Sequence, residues 1–235
     1  MTTIYQLNSR IIHCQRCPRL ARYISEVSAA KKRAFSAWDY WGKPLPGYGD
    51  TQARLLIVGL APAAHGANRT GRMFTGDSSG EFLAQTMHLH GFAEKPYSRN
   101  RDDGQELHDA YVTAVVRCAP PENKPLPMEK RNCLPYLAEE IRLLKKVCVI
   151  LSLGKFAWNG TWEALANLGA NLPHPRGAFG HGVESHIRHP LRDREIHLLA
   201  SYHPSRQNTN TGRLTPAMFQ GVFARASEIL RHEEE

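Results

Sequence analysis

Four cysteines have a spacing that could hold a metal centre. Cys14 and Cys17 form a C-x-x-C pair, and Cys118 and Cys133 lie on either side of a proline-rich loop. Four thiolates can bind either a tetrahedral zinc ion or an iron–sulfur cluster, and the spacing leaves both open. It also leaves open that Cys118 and Cys133 are ordinary buried thiols. Cys148 lies in the apolar run VCVIL and is interpreted as core.

Four segments combine residue types that suit a functional site. They are GLAPAAHGANRTGRMFTGD at 59–77, RCAPPENKPLP at 117–127, GKFAW at 154–158 and SYHPSRQNTNTGRLT at 201–215. Their Gly, Pro, Asn and hydroxyl residues favour tight loops that present backbone N–H groups and polar side chains. None of them contains the G-x-G-x-x-G phosphate-binding fingerprint, so nothing indicates a flavin or nicotinamide site.

The elements that must position these loops are strands and helices in alternation. Short runs of branched apolar residues predict buried strands at 54–58, 111–116, 147–153 and 196–200. Segments of helical length at 80–90, 129–145, 161–168 and 216–231 lie between or after them. Such alternation predicts a parallel sheet covered on both faces, with the ligand crevice beyond the carboxyl ends of its strands. Each of the four loops directly follows one of these runs.

Composition restricts the classes of protein to which the chain can belong. With 235 residues, 42% of them hydrophobic, it can form one domain over 1–235, and its net charge of +8 favours a polyanionic partner. No segment reaches membrane-span length and the N-terminus lacks a secretory signal, so we expect a cytoplasmic protein. Cysteines in a reducing compartment indicate metal ligation rather than disulfides. The acidic residues 233–235 are interpreted as a frayed tail.

The loop motifs and the cysteine spacing together resemble the family 5, or type b, uracil-DNA glycosylases, from Cys14 to roughly Leu214. The resemblance implies a three-layer α/β/α sandwich with a central four-stranded parallel sheet. It also implies a 4Fe-4S cluster on Cys14, Cys17, Cys118 and Cys133. The expected partner is DNA containing uracil or another damaged base, bound by a monomer that associates with the nucleoid during repair.

The resemblance also assigns the base-binding residues. Phe74 matches the ring that stacks on the extruded base, Asn123 the amide that reads its edge, and His203 the group that stabilises the departing anion. Gly59 is expected to line the same pocket. Asp77 is the candidate for positioning the attacking water. Structural alternatives exist for each side chain: a core aromatic for Phe74, loop closure for Asn123, a buried imidazole for His203 and a helix N-cap for Asp77.

Ala63 bears on substrate range. In the uracil-specific family the matching position holds a Tyr that excludes the 5-methyl group of thymine, and a methyl side chain cannot create that clash. We therefore expect mismatched thymine, hypoxanthine and ethenocytosine as further substrates.

Contacts to the DNA are expected from the last loop and from basic residues elsewhere. The polar side chains of the last loop are Ser205, Arg206, Gln207, Asn208 and Arg213, with Asn210 beside them. Further candidates for phosphate contacts are Lys31, Lys32, Arg33, Arg69 and Arg72, of which the first three could equally form a solvated surface run.

Two other functions are compatible with parts of this pattern. A non-catalytic iron–sulfur DNA-binding or sensing protein would explain the charge and the cysteines, and a relative that captures uracil covalently would use a histidine of the last loop. A lyase would need a nucleophilic lysine, but Lys124 and Lys155 match no such motif. We therefore expect an intact abasic site as the product.

Overall fold

A computed structural model describes residues 2–174 and 177–232 of the chain. The predicted tail at 233–235 lies outside the described residues. The strands are β1 Tyr48–Gly49, β2 Leu55–Gly59, β3 Ala110–Ala114, β4 Val149–Leu153, β5 Glu184–Arg188 and β6 Glu195–Ser201. The helices are α1 Ile4–Ile12, α2 Pro18–Ala30, α3 Ala67–Thr70, α4 Ser78–Leu89, α5 Pro127–Leu143, α6 Lys155–Asn167, α7 Arg206–Asn210 and α8 Pro216–His232.

The six strands form one mixed sheet in the order β1-β3-β2-β4-β6-β5. Its four central strands are parallel and correspond to the four apolar runs, while β1 and β5 pair antiparallel at the two edges. The prediction of a purely parallel four-stranded sheet is therefore wrong at the edges. No apolar run marks these strands, because β1 has two residues and β5 buries only Ile187.

The central strands are buried on both faces, which accounts for their continuous apolar sequence. Leu56 and Val58 of β2 pack toward α1, α2, α5 and α6, whereas Leu55 and Ile57 pack toward α4 and α8. This alternation is the period of two expected of a strand, and it divides the core between two helical layers. Within the described part of the chain, no helix is both long and apolar enough to cross a bilayer.

Two N-terminal helices, α1 and α2, extend the layer that covers one face of the sheet. Thr3 begins α1 through a capping box, because its side chain accepts from the backbone of Gln6 while the Gln6 side chain accepts from the backbone of Thr3. Pro18 occupies the first turn of α2, where its missing N–H costs no hydrogen bond. Cys14 and Cys17 lie in the turn between the two helices.

Candidate active site

The carboxyl ends of β2, β3 and β6 surround a cleft of about 400 Å³. Phe74, Asn123 and His203 all line this cleft although they come from three different loops. The other predicted residues that line it are Ala63, Asp77, Ser205 and Gln207. The side chains that the sequence singled out therefore meet at one place, at the edge of the sheet where parallel α/β folds bind ligands.

Phe74 has a backbone and a ring position that require glycine at two neighbouring sites, Gly59 and Gly80. Its backbone is left-handed, with φ at 49°. A Cβ on Gly59 would lie 2.6 Å from the Phe74 ring, and a Cβ on Gly80 would lie 2.1 Å from the Phe74 carbonyl oxygen. The Phe74 and His203 rings stack with centroids 5.8 Å apart. Gly59, which was expected to line the cleft, is not among the described residues that do so; it lies behind the Phe74 ring and admits that ring against β2.

Buried Arg72 fixes the loop that carries Phe74. Its guanidinium donates to Thr75 Oγ1 at 3.0 Å, and to Ser98 Oγ and Asp103 Oδ2 at 2.8 Å each. Burial is the largest single effect on Asp103 and opposes its ionisation, but the hydrogen bond and charge of Arg72 and two backbone N–H groups together outweigh it, and the pKa of Asp103 falls to about 2. The predicted phosphate contact for Arg72 is wrong, because its side chain is buried in this network.

Arg69 holds the same loop from the other side. Its guanidinium lies 3.9 Å from the ring centre of Phe35 and 4.1 Å from that of Trp38. It donates to the carbonyl oxygens of His65 and Gly76 at 2.8 Å each. With only 3% of the residue exposed, Arg69 cannot reach a phosphate as predicted. Both arginines instead fix the segment between Phe74 and the next helix.

Asp77 both caps a helix and lines the cleft. Its Oδ1 accepts from the backbone N–H of Gly80 at 2.9 Å, at the start of α4. A Cβ on Gly66 would lie 2.1 Å from Oδ2, so only glycine leaves room for the carboxylate. Burial raises the pKa of Asp77 despite this hydrogen bond and the nearby positive charges of Arg69 and Arg206. The two roles weighed for Asp77 are therefore geometrically compatible.

Asn123 ends a short 3₁₀ turn, Pro121–Asn123, at the rim of the cleft. Glu122 and Asn123 are both left-handed, with φ at 52° and 56°. Two consecutive non-glycine residues in this region are strained, and such strain is concentrated at functional sites. Glu122 also lines the cleft, and its carboxylate accepts a hydrogen bond from Lys124 Nζ at 3.0 Å.

His203 lies two residues after the end of β6 and lines the cleft. Burial lowers the pKa of His203 to about 4, so the ring is neutral at physiological pH. Its carbonyl oxygen accepts from the Ser205 N–H and from Asn208 Nδ2, both at 2.8 Å. A Cβ on Gly154 would come within 3.4 Å of the His203 Cβ, so the β4–α6 turn packs closely against it.

The five predicted DNA-contacting residues of the last loop differ in what they contact. Ser205 caps α7, and the side chain of Asn208 is committed to the His203 carbonyl. Arg206 donates to Ser78 Oγ at 3.0 Å, and Gln207 lies exposed on the wall of the cleft. Arg213 packs over the Tyr202 ring at 4.6 Å. The side chains that face solvent here are those of Arg206, Gln207 and Arg213.

All four predicted cysteine ligands line one small cavity beneath the α1–α2 turn. Cys133 Sγ accepts from the backbone N–H of Arg117 at 3.2 Å, and Cys17 Sγ from Asn132 Nδ2 at 3.6 Å. Burial raises the pKa of the Cys118 thiol and raises that of Cys133 to about 12. Across 2–174 and 177–232, no three His, Cys, Asp or Glu side chains are arranged to hold a single metal ion.

Comparison with known proteins identifies the family. The model of the Uracil DNA glycosylase superfamily matches residues 46–226. The type-5 uracil-DNA glycosylase of Thermus thermophilus is 48% identical over 92% of this chain and 93% of its own length. That of Mycobacterium bovis is 47% identical over 97% of this chain and 82% of its own length. The chain belongs to the type-5 uracil-DNA glycosylases.

A related branch of the superfamily is more distant from this type-5 chain. A type-4 uracil-DNA glycosylase from Pyrobaculum aerophilum is 28% identical over 86% of the chain, whereas the type-5 protein of the same organism is 44% identical over 93%. The resemblance inferred from the loop motifs and cysteines is thus confirmed at the level of the family.

Sequence reasoning missed part of the site of this type-5 glycosylase. Glu122 and Ser79 line the cleft and were not proposed, although each lies within two residues of one that was. Lys155 begins α6 and lines a neighbouring recess rather than the cleft. None of the described residues lining the cleft is a lysine.

Proposed function

We propose that the protein is a DNA glycosylase that hydrolyses the N-glycosidic bond of uracil in DNA and leaves an abasic site. The observation that carries the proposal is the meeting of Phe74, Asn123, His203 and Asp77 in one cleft at the carboxyl ends of the parallel strands. A base inside a duplex cannot reach such a cleft, so the enzyme must act on an extruded nucleotide. A volume of about 400 Å³ is sufficient for one nucleobase.

Phe74 and Asn123 would recognise the base. The half-buried ring of Phe74 offers a flat apolar surface for stacking. The Asn123 amide has a donor for O4 of uracil and an acceptor for N3–H. Because the left-handed turn fixes the Asn123 backbone before any base arrives, little ordering is needed on binding.

His203 and Asp77 would perform the chemistry. As the glycosidic bond breaks, negative charge develops on the base and positive charge on the sugar. A neutral His203 can donate one N–H to O2 of the departing uracil anion, and the low pKa keeps it neutral throughout. The carboxylate of Asp77 can accept a hydrogen bond from the attacking water and, being negative, favours the cationic sugar. No lysine lines the cleft among the described residues, which supports a monofunctional reaction.

Ala63 supports a substrate range broader than uracil. Its methyl group lies in the lining of the cleft, where a larger side chain would restrict the base. We therefore include mismatched thymine, hypoxanthine and ethenocytosine among the proposed substrates. Arg206, Gln207 and Arg213 are the proposed contacts to the flanking DNA, because their side chains are exposed around the cleft.

Cys14, Cys17, Cys118 and Cys133 are the proposed ligands of a 4Fe-4S cluster. Their four thiols line one cavity, and four thiolates brought together in this way suit such a cluster. Two N–H groups already point at two of the sulfurs, as they do in iron–sulfur sites. Such a cluster would tie the α1–α2 turn to the β3 loop and α5. Iron and sulfide analysis with visible absorbance tests this, and stoichiometric zinc in their place would overturn it.

The activity is tested with an end-labelled oligonucleotide containing one uracil. We expect strand breakage only after alkali, which marks an intact abasic site, and parallel oligonucleotides carrying thymine mismatches, hypoxanthine or ethenocytosine measure the range. His203→Ala and Asn123→Ala should lower excision far more than DNA binding. A retained protein–DNA adduct would indicate covalent capture, and an unaltered oligonucleotide a non-catalytic binder. Light scattering of the purified protein tests the expectation of a monomer.

A further inference from the structure

Beside the base cleft lies a second recess of about 270 Å³, beyond the ends of β4 and β6. We call it the Tyr202 recess, defined by Lys155, Phe156, Phe179, Tyr202 and Arg213. Leu60 and His203 line both the recess and the cleft. The two cavities are therefore neighbours that share one wall, which is formed in part by the proposed catalytic imidazole.

The lining of the Tyr202 recess combines flat rings with positive charge. Phe179 and Tyr202 have ring centroids 6.0 Å apart, and the Arg213 guanidinium covers the Tyr202 ring at 4.6 Å. Phe156 adds a third ring and Lys155 a second cation. No carboxylate lies among the described lining residues. Rings beside cations are how proteins hold unpaired nucleotides, because every base can stack and every linkage is anionic.

A further groove adjoins the cleft at Asp77, Glu122 and Asn123 and differs from the recess in its charge. It is larger, about 570 Å³, and its cations are Lys32 and Arg206. Asp77 and Glu122 line it as well, so the formal charges of these four side chains cancel. Among its described lining residues, the Tyr202 recess instead has two cations and no acidic side chain to offset them. A phosphate next to the extruded nucleotide is therefore attracted more strongly toward the Tyr202 recess.

We propose that the Tyr202 recess binds the nucleotide adjacent to the extruded one on the same DNA strand. This inference rests on the proposed glycosylase function and extends it from one nucleotide to two. Phe156, Phe179 and the Tyr202–Arg213 pair stack on the neighbouring base, and Lys155 and Arg213 neutralise its phosphate. Because stacking on a ring needs no particular pattern of donors and acceptors, the recess accepts any of the four bases.

The test uses short single-stranded oligonucleotides with one central uracil. In separate substrates, the base 5′ or 3′ of the uracil is removed by a tetrahydrofuran abasic unit, and kcat/KM for uracil release is measured. Loss of the base bound in the recess should lower kcat/KM by about 5- to 150-fold, the range for one stacked base, on one side only. Replacing that base by any other natural base should change kcat/KM less than threefold. Equal effects on both sides, or none on either, would overturn the proposal.

Variants connect this effect to the recess. Phe156→Leu keeps an apolar side chain and removes a ring, so it should reduce the penalty for the missing base. Arg213→Ala and Lys155→Ala should each lower the salt dependence of DNA binding by about one released ion. Lys146→Ala is the matched control. Lys146 is exposed and precedes β4, so it lies at the amino end of that strand, whereas the recess lies beyond its carboxyl end. If the loss of kcat/KM on removing the neighbouring base is unchanged in both Phe156→Leu and Arg213→Ala, the proposed role of the recess is wrong.

The same assays separate this proposal from the one on which it rests. If the wild-type protein releases no uracil from the unmodified oligonucleotide, the glycosylase function itself fails. If it releases uracil normally but shows no dependence on either neighbouring base, only the Tyr202 recess fails.

Discussion

Two substitutions of Asp77 can separate its role as a helix N-cap from its proposed role as a catalytic carboxylate. Its Oδ1 accepts from the Gly80 N–H at 2.9 Å, and asparagine caps helices as well as aspartate does. Asp77→Asn should therefore keep the cap and lose the charge, whereas Asp77→Ala loses both. Both should lower uracil excision by about 10²–10⁴-fold if the carboxylate positions the water. Single-turnover kinetics on the uracil oligonucleotide measures this.

Stability should separate the two variants. Loss of the cap costs about 0.5–2 kcal/mol, so Asp77→Ala should unfold at lower urea concentration than Asp77→Asn. Burial raises the pKa of Asp77, so the folded protein holds this proton more tightly than the unfolded chain does. The carboxylate therefore destabilises the fold fully above its folded pKa, and this destabilisation shrinks as the pH falls through that pKa and is gone only below the pKa of the unfolded chain. Asp77→Asn should then exceed the wild type in stability at pH 7, and this advantage should shrink on acidification.

The pH dependence of the wild-type reaction provides a further check. Because the carboxylate must be ionised to hold the water, excision should fall as the pH drops through a value above the ordinary pKa of aspartate. Asp77→Asn with excision within twofold of the wild type would refute the role in positioning water. Equal destabilisation of the Asn and Ala variants would refute the argument from the cap.

Three further substitutions test the surroundings of the base. Gly59→Ala should lower kcat/KM for uracil at least about tenfold, because the added Cβ would lie 2.6 Å from the Phe74 ring. Excision within about twofold of the wild type would show that the ring can move without loss of activity. Ala63→Tyr should lower thymine release by roughly 10- to 200-fold more than uracil release. The two rates are measured on oligonucleotides that differ only in the target base, and equal losses would contradict the steric argument. Arg72→Leu should lower the free energy of unfolding by about 3–5 kcal/mol in urea titrations, because it leaves the buried carboxylate of Asp103 without its positively charged partner. A change under about 1 kcal/mol would contradict the importance of this ion pair.

The central fold was predictable because burial on both faces leaves a strong pattern in sequence. The run predicted at 54–58 is the strand Leu55–Gly59, and the helix predicted at 80–90 is Ser78–Leu89. The edge strands left no such pattern. Helix α1 did leave one that was overlooked: Ile4, Leu7 and Ile11 recur at helical spacing behind the Thr3 capping box.

The cleft was predictable for a different reason, since its residues belong to loops with unusual composition. Phe74, Asn123 and His203 meet in the structure, while their chemical roles stay predictions. Sequence could not distinguish buried arginines from exposed ones. Arg69 and Arg72 are as basic as Arg206, and only tertiary packing shows that the first two hold a loop while the third faces solvent.

The left-handed pair Glu122–Asn123 has a consequence for engineering. Glycine adopts this backbone without steric penalty, so Glu122→Gly would relieve strain in the folded state, partly offset by the greater freedom of the unfolded chain. The added backbone freedom at position 122 would also let the side-chain amide of Asn123 adopt several positions in the free enzyme. Selection for thermal stability alone would therefore favour glycine at position 122 and give an enzyme that is more stable but slower. This is the trade-off expected where the rigidity of a loop serves catalysis.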